Sequence, residues 1–277
     1  MNKGMTWLVL FSTWCGGASW AYTVQRVSLP SAAMDTSPLA TIVLPDVYAT
    51  TSGSYSTIYV LHGWSGNDMD WTANTDIGRL ADEYGLILVM PDGGYNSWYI
   101  DSPVIAKSKF ETYIGKEVVS YIDSHYRTVT SKGGRAITGL SMGGFGALNI
   151  AINNASTFGS AGSISGAVDP RSFWENWGLE GTFGDHLANA NFWNEKAIIN
   201  NADRFAENGI NLTIDCGVDD FFVGSNRTLH QRLLVLNVPH DYTERPGGHT
   251  WAYWRNAIRY QVLFFSIKFE EGRGSLR

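Results

Sequence analysis

Arg135-Ala136-Ile137-Thr138-Gly139-Leu140-Ser141-Met142-Gly143-Gly144 is the stretch that decides how this chain is read. Apolar and β-branched residues lead up to Gly139, and a small-residue helical pattern, Phe145-Gly146-Ala147-Leu148, follows Gly144. A serine between a strand and a helix must sit on a sharp turn with strained backbone angles. Glycine on either side removes side chains that would strike the adjoining strand and helix. Gly139-Leu140-Ser141-Met142-Gly143 is the only G-x-S-x-G in the chain. The start of a helix also favours negative charge, which suits an oxyanion forming beside the serine. Ser141 is therefore the expected nucleophile.

A nucleophilic serine needs a base, and the base needs an orienting acid. In a strand-turn-helix setting the order along the chain is Ser, then Asp or Glu, then His. His249 fits as base, because it lies late, in the Gly-rich loop Pro246-Gly247-Gly248-His249-Thr250, between a short strand at 241–245 and a final helix. Among the other histidines, His125 and His230 fit solvated helix positions, His186 falls in an irregular segment, His240 precedes a strand, and His62 belongs to an earlier loop. The acid is expected after the strand ending at Cys216, where Gly217-Val218-Asp219-Asp220-Phe221 offers two carboxylates that spacing does not separate. The oxyanion needs two backbone N–H donors. Met142, directly after the nucleophile, supplies one; the loop Leu61-His62-Gly63-Trp64 supplies the other if Gly63 lets the chain turn and the Trp64 N–H face Ser141.

Further out, short β-type runs alternate with helical patterns. Strands are expected at 58–61, 86–90, 135–140, 160–166 and 210–216, with helices over 110–122, 229–236 and 251–268. The expected fold class is α/β, with a mainly parallel central sheet flanked by helices. Residues 22–44 have strand character without helices and predict an antiparallel edge. Residues 170–208 break the rhythm with Phe173, Trp174, Trp177, Phe183, Phe192 and Trp193 among polar residues. They form an insertion over the sheet that is a lid, a substrate wall or a packing appendage.

Composition agrees. The 277 residues are 44% hydrophobic and 17% charged, with 30 Gly and 11 Trp. That excludes disorder, collagen, coiled coil and a disulfide scaffold. A formal charge of −6 with no Lys/Arg run argues against a nucleic-acid partner. Lys3, an apolar run to Phe11 and small residues through Ser19-Trp20-Ala21 have the order of a secretory signal peptide cleaved after Ala21. Residues 22–277 then make one domain, secreted or periplasmic, with no membrane span. Removal of Cys15 leaves Cys216 alone, which excludes an intramolecular disulfide and a cysteine-based metal site; Cys216 reads as a small buried strand residue.

Taken together, Tyr59-Val60-Leu61-His62-Gly63, Met90-Pro91-Asp92-Gly93-Gly94 with Trp98, Gly139-Leu140-Ser141-Met142-Gly143-Gly144, Cys216-Gly217 to Phe221, and Pro246-Gly247-Gly248-His249 with Trp251 and Trp254 resemble the esterase D / antigen 85 branch of the α/β-hydrolases. The likeness runs over roughly residues 40 to 265. It implies a serine carboxylesterase without metal or cofactor. The family's acid stands just before the Phe, which selects Asp220, and its second oxyanion donor follows the loop Gly, which selects Trp64. Trp64 is larger than the Leu or Met usual there. The branch includes feruloyl and acetyl esterases acting on plant polysaccharide, S-formylglutathione hydrolases and mycolyl-type acyltransferases. Export and the Trp content fit a small-molecule or carbohydrate ester as substrate. An inactive carbohydrate-binding relative is the non-enzyme alternative, and it predicts a broken Ser141-Asp220-His249 set.

Overall fold

The computed structural model describes residues 7–9 and 21–274. A single mixed sheet organises them, with strand order β1-β2-β3-β5-β4-β6-β7-β8-β9. The strands are β1 (Trp7–Val9), β2 (Thr23–Ser28), β3 (Leu39–Leu44), β4 (Thr57–Leu61), β5 (Ile87–Pro91), β6 (Arg135–Gly139), β7 (Ser160–Ile164), β8 (Asn211–Gly217) and β9 (His240–Arg245). The pairs β1·β2, β2·β3 and β3·β5 are antiparallel, and every pair from β5·β4 to β8·β9 is parallel. The expected parallel sheet with an antiparallel early edge is thus present. Apart from β1 and Ala21, the expected leader lies outside the described residues.

The central strands are buried on both faces, and their alternation sorts side chains into two cores. Tyr59, Leu61, Val89 and Ile137 face the helix Met142–Asn153. Ile58, Val60, Leu88 and Ala136 face the C-terminal helix Trp251–Gly274 through Trp254, Ile258, Val262 and Phe265. The helix Met142–Asn153 is buried from Met142 to Ile152, which explains why its sequence is apolar and small all round rather than amphipathic. The expected helix over 110–122 runs over 110–125 and carries a π-helical stretch at Tyr113–Val118.

The insertion is a set of short helical turns: Pro170–Phe173, Leu179–Phe183, Ala190–Lys196, Ile198–Asn201 and Arg204–Glu207. It is packed down rather than draped. Leu179, Phe183, Trp193 and Phe205 are buried, and Lys196 makes a part-buried ion pair with Glu111 at 2.9 Å. Thr182 donates to the Asn96 carbonyl at 3.0 Å, and Ser102 donates to the Thr182 carbonyl at 2.6 Å. No helix among the described residues is long and apolar enough to cross a membrane.

Candidate active site

The turn between β6 and the helix Met142–Asn153 has the strain its sequence implies. Ser141 adopts φ 56° and ψ −118°, a region that costs a non-Gly residue on the order of 1–3 kcal/mol. Surrounding hydrogen bonds hold it there: the Ser141 N–H donates to Ile164 O at 2.9 Å, and the Ala167 N–H donates to Ser141 O at 3.3 Å. The flanking glycines are needed for space. A Cβ on Gly143 would lie 2.5 Å from His62 O and 2.6 Å from Leu61 O, and one on Gly139 would lie 2.6 Å from the Gly143 backbone.

Ser141, His249 and Asp220 come together. The His249 Nε2 lies 2.9 Å from Ser141 Oγ, and its Nδ1 lies 2.8 Å from Asp220 Oδ2. An ionised carboxylate only accepts, so Nδ1 carries the proton and Nε2 presents its lone pair to the serine hydroxyl. Asp220 is 2% exposed, and its other oxygen accepts the Phe222 N–H at 2.9 Å. Asp219 is exposed instead, its N–H donating to Gly247 O at 3.0 Å.

Parallel pairing of β8 with β9 makes this meeting possible. Their register sets Gly217 opposite Arg245, and the two following loops continue together through Val218 N–H to Arg245 O at 2.9 Å. Gly247 has φ 132°, which only glycine adopts readily. Phe221, Phe222 and Trp254 surround the His249 ring, with centroids 4.3, 5.5 and 4.9 Å away. Beneath the loop, Asp215 accepts hydrogen bonds from Arg245 and Tyr253.

The β4 loop is locked by His62, which sequence reasoning assigned only to the loop. His62 Nδ1 donates to Gly63 O at 2.7 Å, and its Nε2 accepts the Gly93 N–H at 2.8 Å, so the buried ring serves as a neutral brace. The Gly66 N–H also donates to Gly63 O, at 3.1 Å. In a trans peptide the N–H points opposite to the C=O. Fixing Gly63 O therefore also fixes the direction of the Trp64 N–H. Neither that N–H nor that of Met142 is spent on a hydrogen bond among the described residues. Gly63 itself lies beside Ser141, since a Cβ there would be 3.6 Å from Ser141 Cβ. The Trp64 indole packs edge-on against Tyr95 at 4.9 Å, on the exposed rim.

These groups open into a cleft of about 510 Å³. Trp98, Trp177, Phe221 and Phe222 make one part of its lining aromatic, and Ser65, Asp70 and Thr250 make another part polar. The insertion reaches the cleft through Trp177, whose ring stacks on Phe221 at 5.7 Å and 18° and whose carbonyl accepts the Trp98 indole N–H at 3.3 Å. Asp70 and Thr250 carry no motif and went unmarked in the sequence. Burial pushes the Asp70 carboxyl above the usual carboxylate range.

The remaining histidines lie elsewhere. His125 stacks on Tyr121, His186 stacks on Trp174, and His230 and His240 bond each other at 2.8 Å. Cys216 is buried in β8, and burial pushes its thiol well up, which suits a packing residue rather than a nucleophile. No group of three or more metal-ligating side chains occurs among the described residues.

Residues 31–265 match the family described as "Putative esterase". The chain belongs to this esterase family. It is 29% identical over 262 residues to Esterase Rv1288 of Mycobacterium tuberculosis, covering 84% of this chain and 56% of that protein, so it spans little more than half that relative's length. It is 28% identical over 221 residues to an acetyl esterase of Caldicellulosiruptor saccharolyticus, covering 75% of this chain and 82% of the relative. Among solved structures, a ferulic acid esterase superposes with a TM-score of 0.77 at 26% identity, covering 91% of this chain and all of that one (100%). The Staphylococcus aureus fluorophosphonate-binding serine hydrolase F superposes with a TM-score of 0.78 at 25% identity, covering 89% and 98%.

Proposed function

We propose that this esterase-family chain is an exported serine carboxylesterase that works through an acyl-enzyme, with Ser141 as nucleophile, His249 as base and Asp220 as its orienting acid. The hydrogen-bonded series Ser141 Oγ, His249 Nε2, His249 Nδ1 and Asp220 Oδ2, at 2.9 and 2.8 Å, carries this reading. Ser141 Oγ attacks the ester carbonyl carbon as its proton passes to His249 Nε2. The carbonyl oxygen becomes an oxyanion that accepts from the N–H groups of Met142 and Trp64. Each such donor is worth about 10²–10³ in rate. The tetrahedral species collapses, and the departing alkoxide takes the proton from Nε2. Water then attacks the acyl-Ser141 ester, giving its proton to Nε2, and the acid product leaves as Ser141 recovers that proton. No metal or cofactor enters these steps.

The substrate we favour is a feruloyl or acetyl ester on plant polysaccharide. Supporting it are the aromatic lining from Trp98, Trp177 and Phe221, the likeness to a ferulic acid esterase, and the leader-like order of residues 1–21. Ser141→Ala tests the reaction. It removes turnover of p-nitrophenyl acetate and labelling by a fluorophosphonate while circular dichroism stays that of the parent. Undiminished turnover in the variant refutes the assignment. Ester preference is then read from release of ferulate or acetate across a panel of polysaccharide and small esters.

A further inference from the structure

We infer that Asp70 makes the cleft a charge filter that favours esters with a cationic or neutral alcohol part and rejects those with an anionic one; the inference rests on the esterase reading above. The Asp70 carboxylate lines the same cleft as Ser141 and His249. It lies over Gly66, where an added Cβ would run into its Oδ2 and come within 2.9 Å of His62 Nδ1, so it stands on the loop that carries Trp64. No Lys or Arg pairs with it among the described residues. Arg26 is committed to Asp68 through two 2.8 Å hydrogen bonds. The other groups facing it are the His62 ring, whose Nδ1 is spent on Gly63 O, a backbone hydrogen bond at Asn67, and the carboxylates of Asp68 and Asp92, which add negative field. A carboxylate partly stripped of water and left without a counter-ion is stabilised by a ligand that brings positive charge or O–H donors.

The neighbouring surface has matching chemistry. Thr250 and Trp251 directly follow His249 and line the cleft with Asp70, so an alcohol whose oxygen takes its proton from His249 Nε2 can extend toward all three. Trp251 and Trp64 also line the cleft, and the face of an aromatic ring attracts cations. Leading from Ser141 past His249, an ester with an ammonium-bearing or hydroxyl-rich alcohol meets the carboxylate; a sulfonated or carboxylated alcohol meets repulsion.

Three aryl acetates test this, differing only at the para position: trimethylammonio, nitro and sulfonate. Each kcat/KM is expressed relative to the nitro ester, for the parent and for Asp70→Asn, so that differences in leaving-group chemistry cancel between the two proteins. One charge pair in a partly solvated cleft is worth on the order of tenfold. The expected result is that Asp70→Asn raises the relative rate of the sulfonate ester by about that factor and lowers that of the trimethylammonio ester by a similar one. Raising salt on the parent reduces the same discrimination without any mutation. Ratios within about twofold for the variant, or parent ratios insensitive to salt, overturn the filter. If the parent hydrolyses the neutral ester and is labelled by a fluorophosphonate at Ser141, that failure is confined to Asp70; if it does neither, the esterase reading falls and the filter with it.

Discussion

Asp220→Asn separates orientation of the base from mere proximity, because the surroundings of Asp220 dictate how the new amide must sit. One carboxylate oxygen accepts the Phe222 N–H at 2.9 Å and the other accepts His249 Nδ1–H at 2.8 Å. An asparagine has one acceptor and one donor end. Turning its oxygen to His249 would set its NH₂ against the Phe222 N–H, leaving a buried donor unsatisfied at about 1–3 kcal/mol. The amide therefore keeps its oxygen on Phe222 and presents NH₂ to Nδ1. His249 must then accept at Nδ1 and carry its proton on Nε2, where it faces Ser141 Oγ and cannot take the serine proton. Loss of the working tautomer costs about 10⁴ in kcat, or ~5.4 kcal/mol of transition-state stabilisation. The assay is steady-state turnover of p-nitrophenyl acetate, with thermal denaturation as the folding control. Asp219→Asn, at the exposed neighbour, serves as the comparison and stays within about threefold of the parent. A kcat for Asp220→Asn above roughly a tenth of the parent value refutes the argument that Asp220 sets the tautomer.

Two further outcomes follow from geometry and burial. Gly143→Ala forces a methyl against His62 O and Leu61 O at 2.5 and 2.6 Å, backbone atoms at the end of β4 that have nowhere to go. Overpacking of about 1–3 kcal/mol lowers the melting temperature by roughly 3–10 °C and cuts esterase activity with it; an unchanged melting temperature contradicts the packing argument. Charge selection is also pH-dependent. Burial raises the Asp70 carboxyl, so as pH falls Asp70 becomes neutral while ordinary surface carboxylates are still ionised. The ratio of trimethylammonio to sulfonate turnover is therefore full at neutral pH and decays toward the acid side, and in Asp70→Asn it is flat. Titration of the base cancels in that ratio, so a parent profile that stays as flat as that of Asp70→Asn across the acid range counts against ionisation of Asp70 as its source.

Much of this site was legible in the linear sequence, and the reason is local. The turn at Ser141 is constrained by residues one or two positions away, and Gly139 and Gly143 record that constraint directly. Strands β4, β5, β6 and β8 announced themselves as short runs rich in apolar and β-branched residues, and β7 as a run of small residues, because they are covered on both faces. The insertion was harder. Its aromatic residues could have lined a mobile lid or filled a core, and only packing tells them apart: Phe183 and Trp193 are buried, whereas Trp177 reaches the cleft. His62 was marked only as a loop residue, because its bonds to Gly63 O and Gly93 N join two loops that are distant in the chain.

By itself the sequence determined the elbow and its serine, the late histidine and the alternating α/β order, all of which rest on short-range backbone geometry or periodicity. The choice between Asp219 and Asp220 needed either a family pattern or the tertiary structure, in which Asp220 faces inward and Asp219 faces water. The rest was decided only by folding. Ser141 and His249 are 108 residues apart, and the parallel register of β8 with β9 is what delivers the histidine loop to Ser141. The polar and aromatic parts of the cleft, and the place of Asp70 in it, arise from elements with no sequence proximity. Through-space contacts set the polarity and charge of a cleft, and no local pattern in the chain encodes them.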